Sequence, residues 1–312
     1  VPKVPLLIEC LFFLTYLGQQ KEMNSTIYLP SELIVNSDGS IYHLGLRPEQ
    51  LADTVIVVGD PERVPMISRY FEHVEYRLHK REFVTHTGTY RGTRMTVISS
   101  GMGTDNVEIL MTELDALANI DLEKRVLKSS LRRLRIVRVG TSGSIHAGVP
   151  VGSLLASTVG VGIDTLMCFY DYDTPQEQGL KAAMQQLKQH LSLPFEPYAA
   201  TASPKLRELF SGLLQGVTLT CPGFYAPQGR ELRAPARLKD WLQRLQSFEY
   251  EGLRLTNLEM ETAGYYAMAH MLGHDMISLN AILADRINGI FAAKPQEVVE
   301  ELIVYTLDKL AT

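Results

Sequence analysis

Arg138 stands inside an apolar run, between Val137 and Val139. An unpaired guanidinium buried there would cost several kcal/mol, so it must meet an internal carboxylate or a bound anion. The pattern leaves both open. An arginine fork donates two parallel hydrogen bonds, which suits phosphate as well as carboxylate. Neighbouring segments carry related chemistry. One apolar run ends in Gly59-Asp60-Pro61-Glu62-Arg63 and another in Ser99-Ser100-Gly101-Met102-Gly103-Thr104, while Arg138 leads into Val139-Gly140-Thr141-Ser142-Gly143. Glycines beside hydroxyl residues leave amide N–H groups free to hold an anion, helped by any helix N-terminus that follows. None of these is a triphosphate loop, because the G-x4-G-K-[ST] pattern is missing. Gly101-Met102-Gly103 lacks the third glycine of a dinucleotide fingerprint, and residues 140–143 miss the G-x-S-x-G spacing of a nucleophile elbow. The expected ligand is a small free oxyanion.

Asn257-Leu258-Glu259-Met260-Glu261-Thr262 precedes a helical pattern. In an extended segment Glu259 and Glu261 point to one side, where paired carboxylates suit acid–base work or hold vicinal hydroxyls, as on a ribose. A surface strand with an N-cap at Thr262 is the plainer account. Phe224-Tyr225-Ala226-Pro227-Gln228-Gly229-Arg230 has the groups to read a planar heterocycle. Gln228 both donates and accepts, Arg230 donates to a carbonyl, and Phe224 stacks. An ordinary Pro/Gly loop has the same composition. His270 and His274 show the i, i+4 spacing of zinc ligands. No third ligand or HExxH glutamate accompanies them, so they read as ordinary helix-end residues and no metal is expected.

These groups need a scaffold of alternating strands and helices. Apolar, β-branched runs at 54–60, 94–100, 135–140, 153–161 and 275–284 read as strands. Helical periods fill 105–118, 178–190, 203–214, 236–247, 262–272 and 295–310. The alternation predicts an α/β layer structure with a largely parallel or mixed central sheet, whose strand ends gather ligands. No linker, repeat or low-complexity block divides the chain, so one domain is expected over 32–312.

Of the 312 residues 46% are apolar and 21% charged, which excludes a disordered or fibrous chain. Thirty basic against thirty-five acidic side chains leave a charge of −5, which argues against nucleic-acid and acidic-membrane partners. Lys124, Arg125, Lys128, Arg132, Arg133 and Arg135 read as a solvated helix or loop face. Cys10, Cys168 and Cys221 show no pairing or zinc spacing, and a reducing, cytoplasmic setting is expected. The apolar stretch 4–17 contains Glu9, is too short to span a bilayer comfortably, and has no A-x-A cleavage pattern. Residues 1–31 are read as an N-terminal extension of the kind a misassigned start site produces.

Taken together, Tyr42-His43-Leu44-Gly45-Leu46, the GDPERV run from Gly59, Lys80-Arg81-Glu82-Phe83, the RVGTSG run from Arg138, FYAPQGR and NLEMET resemble the nucleoside phosphorylase family, in its uridine-cleaving branch. The likeness covers about residues 32–311. It implies a three-layer α/β sandwich around a mixed, barrel-like sheet flanked by helices, and self-association as dimers that form hexamers, each a trimer of dimers. On matching positions, Gly59, Arg63, Arg138 and Thr141 would hold phosphate, with Arg81 reaching the neighbouring subunit's phosphate. His43 would cross the same interface toward the ribose 5′-hydroxyl. Met260 and Glu261 would hold the ribose with Glu259 beside them, and Gln228 and Arg230 would contact the base edge with Phe224 against its face. Arg138, Arg230 and Glu261 would carry catalysis. The implied reaction is phosphorolysis of uridine to uracil and ribose 1-phosphate, with no cofactor beyond the phosphate co-substrate. A structural monovalent cation occurs near the position of Glu82 in some members. Asp285-Arg286 stands where uridine-type members show Asn-Arg, whereas purine-type members place there an aspartate that protonates the departing purine. The Gln228/Arg230 pair favours a pyrimidine, leaving Asp285 to pair with Arg286 or a nearby strand end. A purine nucleoside phosphorylase is the alternative; a nucleosidase or a non-catalytic nucleoside-binding protein is less well matched.

Overall fold

The computed structural model describes residues 27–174 and 179–311. The apolar stretch 4–17, Cys10 and the first 26 residues of the expected extension lie outside them. In chain order the strands are β1 (Thr54–Val58), β2 (His73–Lys80), β3 (Phe83–Tyr90), β4 (Thr93–Ser99), β5 (Ile120–Asp121), β6 (Val126–Leu127), β7 (Arg135–Ser144) and β8 (Leu154–Gly162). They continue with β9 (Tyr198–Thr201), β10 (Leu214–Thr220), β11 (Glu249–Tyr250), β12 (Leu253–Arg254), β13 (Asn257–Glu259), β14 (Asp275–Asp285) and β15 (Ile290–Phe291). The helices are α1 (Arg63–Ser68), α2 (Thr104–Asn119), α3 (Leu180–Leu191), α4 (Pro204–Leu209), α5 (Trp241–Ser247), α6 (Thr262–Leu272) and α7 (Pro295–Leu310).

The apolar runs become strands because the sheet buries both their faces. In β1 all five residues of TVIVV are buried between two parallel neighbours, β4 and β7. Strands β14, β8, β10, β13 and β7 close into a barrel, since β7 pairs with both β13 and β14. Strands β1, β4, β3 and β2 extend the sheet outward from β7. The result is the mixed, barrel-like α/β sheet flanked by helices that the family resemblance implies. Strand β2 forms the outer edge. Its charged and polar residues alternate with half-buried ones, a pattern that discourages pairing with another chain.

Strand β7 runs further than its apolar core predicts. Residues 135–138 pair with β1, while residues 143 and 144 pair with β13, and β14 follows the whole length. Residues 141–143, expected to lie beyond the strand end, are therefore strand. Two expected helices are shortened. The 203–214 pattern ends at Leu209, because the chain from Leu214 enters β10 between β8 and β13. Long-range pairing overrides the local period there. The 236–247 pattern begins only at Trp241, after Asp240 takes a left-handed conformation with φ of 54°.

Helix α6 is buried at every position from Thr262 to Ala269, because the sheet lies on one side and α2 on the other. Gly264 permits that approach: a Cβ there would lie 2.9 Å from Thr104 Cγ2. Gly273, at φ 75°, ends the helix.

The basic residues between 124 and 135 are engaged within the fold. Arg125 donates to the Tyr28, Leu29 and Leu33 carbonyls, and Lys128 to the last carbonyls of α2. Lys124, Arg132 and Arg133 pair with Asp121, Asp53 and Asp275. Arg135 reaches Thr54 and the Leu310 carbonyl. Among the described residues no helix is long and apolar enough to cross a membrane.

Candidate active site

The ends of β1, β7, β13 and β14 open onto a cavity of about 910 Å³. Its walls include Gly59, Arg63, Arg138, Thr141, Phe224, Gln228, Arg230, Glu259, Met260, Glu261 and Asp285, from segments up to 226 positions apart in the chain. Of the residues singled out in the sequence, Arg81 and His43 lie outside this wall.

Within it, the internal carboxylates meet Arg138. Its Nη2 lies 2.6 Å from Glu261 Oε2 and 3.2 Å from Glu259 Oε2. Its Nη1 donates to Ser278 Oγ at 3.2 Å and Asn280 Oδ1 at 3.3 Å. Ser278 and Asn280 are two apart on β14 and so share a face, a signal visible in the sequence although their partner was not. Burial opposes the Arg138 charge, but the two carboxylates outweigh it and hold the group above its ordinary range. Burial pushes Glu261 up, and Glu259 adds to this against the pull of Arg138. Glu261 Oε1 also accepts from the Gly103 amide at 2.8 Å. That amide, expected to hold a free anion, holds a protein carboxylate instead.

Arg63 is different. It opens α1 and donates to the Val139 carbonyl at 3.2 Å, with no ion pair among the described residues. Burial draws its pKa down and the Arg138 charge adds to this, while Asp60 and Glu261 oppose it. A half-buried cation with no carboxylate in ion-pair range among the described residues could hold an anion.

The same cavity is lined by two more guanidinium groups. Arg230 lies 3.7 Å from the Phe224 ring centroid and donates at 2.7 Å to both the Phe224 carbonyl and Gln228 Oε1. Arg286 Nη1 donates to the Gln228 carbonyl at 3.1 Å. Burial, reinforced by the Arg286 charge, brings Arg230 down to about 10, where it stays protonated at neutral pH. Burial also lowers Arg286. Neither is ion-paired among the described residues, so this part of the wall favours a ligand that is electron-rich or becomes so. Arg286 was assigned no role in the sequence, although it follows an apolar strand much as Arg63 does.

Asp285 does not pair with Arg286. Its carboxylate accepts from the Ile287 and Asn288 amides at 2.8 and 3.1 Å, and from Asn288 Nδ2 at 2.7 Å. These bonds, the Asn288 side chain foremost, hold it below the usual carboxylate range. The short turn into β15 wins because it puts three donors within local reach.

His43 and Arg81 cluster elsewhere on the surface. Glu113 accepts from His43 Nδ1 at 2.7 Å, and Arg81, at φ 55°, stands 5.5 Å from the Tyr42 ring centroid. His274 lies buried just beyond α6, its Nδ1 accepting from the Leu134 amide at 3.2 Å and its Nε2 3.3 Å from Asp115. Among the described residues no group of three His, Cys, Asp or Glu side chains could hold a metal ion.

A sequence profile of the Phosphorylase superfamily matches residues 53–309. The uridine phosphorylase of Thermococcus kodakarensis is 26% identical over 268 residues, 85% of this chain and 84% of that one. A DeoD-type purine nucleoside phosphorylase of Shewanella denitrificans is 26% identical over 281 residues, 86% and 98% of the two chains. The Trypanosoma brucei nucleoside phosphorylase that shows uridine phosphorylase activity superposes with a TM-score of 0.81 at 27% identity, over 89% of this chain and 99% of its own. With a profile match across most of its length and a cavity built from the residues named above, the chain belongs to the phosphorylase superfamily, as a pentosyltransferase of the nucleoside phosphorylase kind.

Proposed function

We propose that the enzyme phosphorolyses pyrimidine ribonucleosides, uridine foremost, giving uracil and ribose 1-phosphate. The observation that carries this reading is Arg230 and Arg286 beside buried Gln228, lining the same cavity as Arg63, with none of the three arginines ion-paired among the described residues. Phosphate would sit on Arg63, the Thr141 hydroxyl and the Gly59 segment, with Arg138 shared between it and the glutamates. The ribose would lie against Met260 and Glu261, and the base against Phe224. As the C1′–N1 bond breaks, the electron pair leaves with uracil and positive charge grows on the sugar. Arg230 and Arg286 would then grip the base more tightly than in the intact nucleoside, which lowers the barrier. Phosphate attacks C1′ from the opposite face and becomes the ester of the product.

A nucleoside panel assayed with and without phosphate tests this directly. Uridine cleavage that does not need phosphate, or none at all, would sink the reading. Gln228→Ala is expected to lower kcat/KM for uridine by about 10²-fold, because a site built to bond a polar edge loses its partner and frees Arg230. Equal losses on uridine and inosine would contradict a base-reading role.

A purine reading draws on Asp285, which lines the cavity, and on the purine-type relative. Protonating a departing purine needs an acid whose proton is available near neutral pH, whereas this carboxylate is held low by its own turn. Asp285→Asn is therefore expected to leave uridine kcat/KM within about threefold, while the purine reading requires a drop of about 10²-fold on inosine.

We propose further that a second copy completes each cavity, bringing Arg81 to the phosphate and His43 to the ribose. Mixing Arg63→Ala with Arg81→Ala at a phosphate concentration too low for either alone to turn over, then letting subunits exchange, should restore part of the activity. A monomeric mass in solution would refute it.

A further inference from the structure

Glu259 and Glu261 both line the cavity, yet their oxygens are occupied very differently. Glu259 Oε1 accepts from Thr220 Oγ1 at 2.7 Å and from the Thr262 amide at 3.1 Å. Its Oε2 accepts from the Glu261 and Thr262 amides, both at 2.9 Å, and lies 3.2 Å from Arg138 Nη2. A carboxylate has about four lone-pair sites, and five donor contacts leave none for a sugar hydroxyl. Glu261 has one donor on each oxygen, Gly103 and Arg138, so two sites stay open. Thr220 Oγ1 also accepts from the Ala263 amide at 2.9 Å. Glu259 and Thr220 thus satisfy the first amides of α6, and the Glu259 charge lies at the positive end of that helix.

We infer that Glu259 is a positioning residue: it caps the first turn of α6 and fixes the Arg138 guanidinium that would hold phosphate, while Glu261 alone offers carboxylate oxygens to the sugar. This rests on the phosphorolysis reading above. A glutamine at 259 would have to turn its amide N–H₂ either toward the Glu261 and Thr262 amides and Arg138, which only donate, or toward the Thr262 amide and the Thr220 hydroxyl, of which only the hydroxyl can accept. Either way Arg138 loses a charged partner and loosens.

The test measures kcat/KM for uridine, 2′-deoxyuridine and 3′-deoxyuridine in wild type, Glu259→Gln and Glu261→Gln. A residue that bonds a hydroxyl loses less when that hydroxyl is already missing, whereas a positioning residue loses the same factor on every substrate. Glu259→Gln is expected to lose about 10²-fold on all three, equal within about threefold, and to raise the KM for phosphate through Arg138. Glu261→Gln should lose markedly less on at least one deoxy substrate. Thr220→Val removes one donor without touching the carboxylate and carries the test if Glu259→Gln does not fold; a smaller loss, again uniform, is expected. Active wild type with a Glu259→Gln or Thr220→Val loss that shrinks about tenfold on one deoxy substrate overturns this inference alone. Wild type that cleaves no nucleoside overturns the functional reading and this inference with it.

Discussion

Arg138→Ala is expected to lower phosphate-dependent kcat/KM by about 10³-fold or more and to destabilise the fold by about 3–5 kcal/mol. The second effect follows from what the guanidinium touches. Removing it leaves Glu259 and Glu261, 4% and 5% exposed, as two buried carboxylates facing each other. They must then bind protons or draw in water, and either costs stability. Arg63→Ala is the contrasting case. Arg63 has no carboxylate partner among the described residues, so its loss should raise the phosphate KM by about 10²-fold while moving the denaturation midpoint little. Steady-state kinetics over a phosphate series, beside urea unfolding of both variants, separates the two roles. An Arg138→Ala protein as stable as wild type would mean the carboxylates do not depend on it. An Arg63→Ala protein with unchanged phosphate KM would remove the anion site from this part of the cavity.

Gly140→Ala should cost nearly as much activity, about 10²- to 10³-fold, without altering any charged residue. Gly140 lies two positions beyond Arg138 on the same face of β7, and the guanidinium folds back over it. A Cβ at Gly140 would fall on the guanidinium itself, 2.8 Å from Nη2 and closer still to Nη1 and Cζ. The backbone there is extended strand, so alanine fits the main chain and the whole conflict is with Arg138. To make room, the guanidinium must give up its contacts with Ser278, Asn280 and the two glutamates, and overpacking of this kind costs about 1–3 kcal/mol. Gly143→Ala is the milder neighbour. Its Cβ would meet Arg286 Cγ at 3.2 Å, a contact that a flexible stem relieves by a shift of a few tenths of an ångström. Near-normal uridine turnover in Gly140→Ala would show that Arg138 works from another position.

The elements most legible in the sequence were those whose environment is uniform along their length. Strands β1, β4, β8 and β14 are buried on both faces and read as apolar runs, and α2, α6 and α7 follow an unbroken helical period. Strands β2 and β3 were missed because β2 alternates charge with partial burial at a sheet edge, which locally resembles a solvated loop. Strand β10 was missed for a different reason: it takes its conformation from partners far along the chain. The extended segment at β13 was legible, but it is a buried strand of three residues and not a surface one. Most cavity residues were legible as chemical types, since arginines, glycines and paired glutamates at strand ends have few other uses.

The sequence by itself determined the inventory: a guanidinium that had to be neutralised inside an apolar strand, carboxylates two residues apart, and an amide–arginine pair on a Pro/Gly turn. Only the tertiary structure decided the partners. Arg138 meets carboxylates 121 and 123 positions away, Arg286 meets the Gln228 carbonyl 58 positions away, and Asp285 turns to its own loop rather than to Arg286. The reason is physical. Burial in an apolar run dictates that a charge be matched, but which group matches it depends on where barrel closure through β7 brings the strand ends together. That closure is set by pairings among strands no local pattern connects.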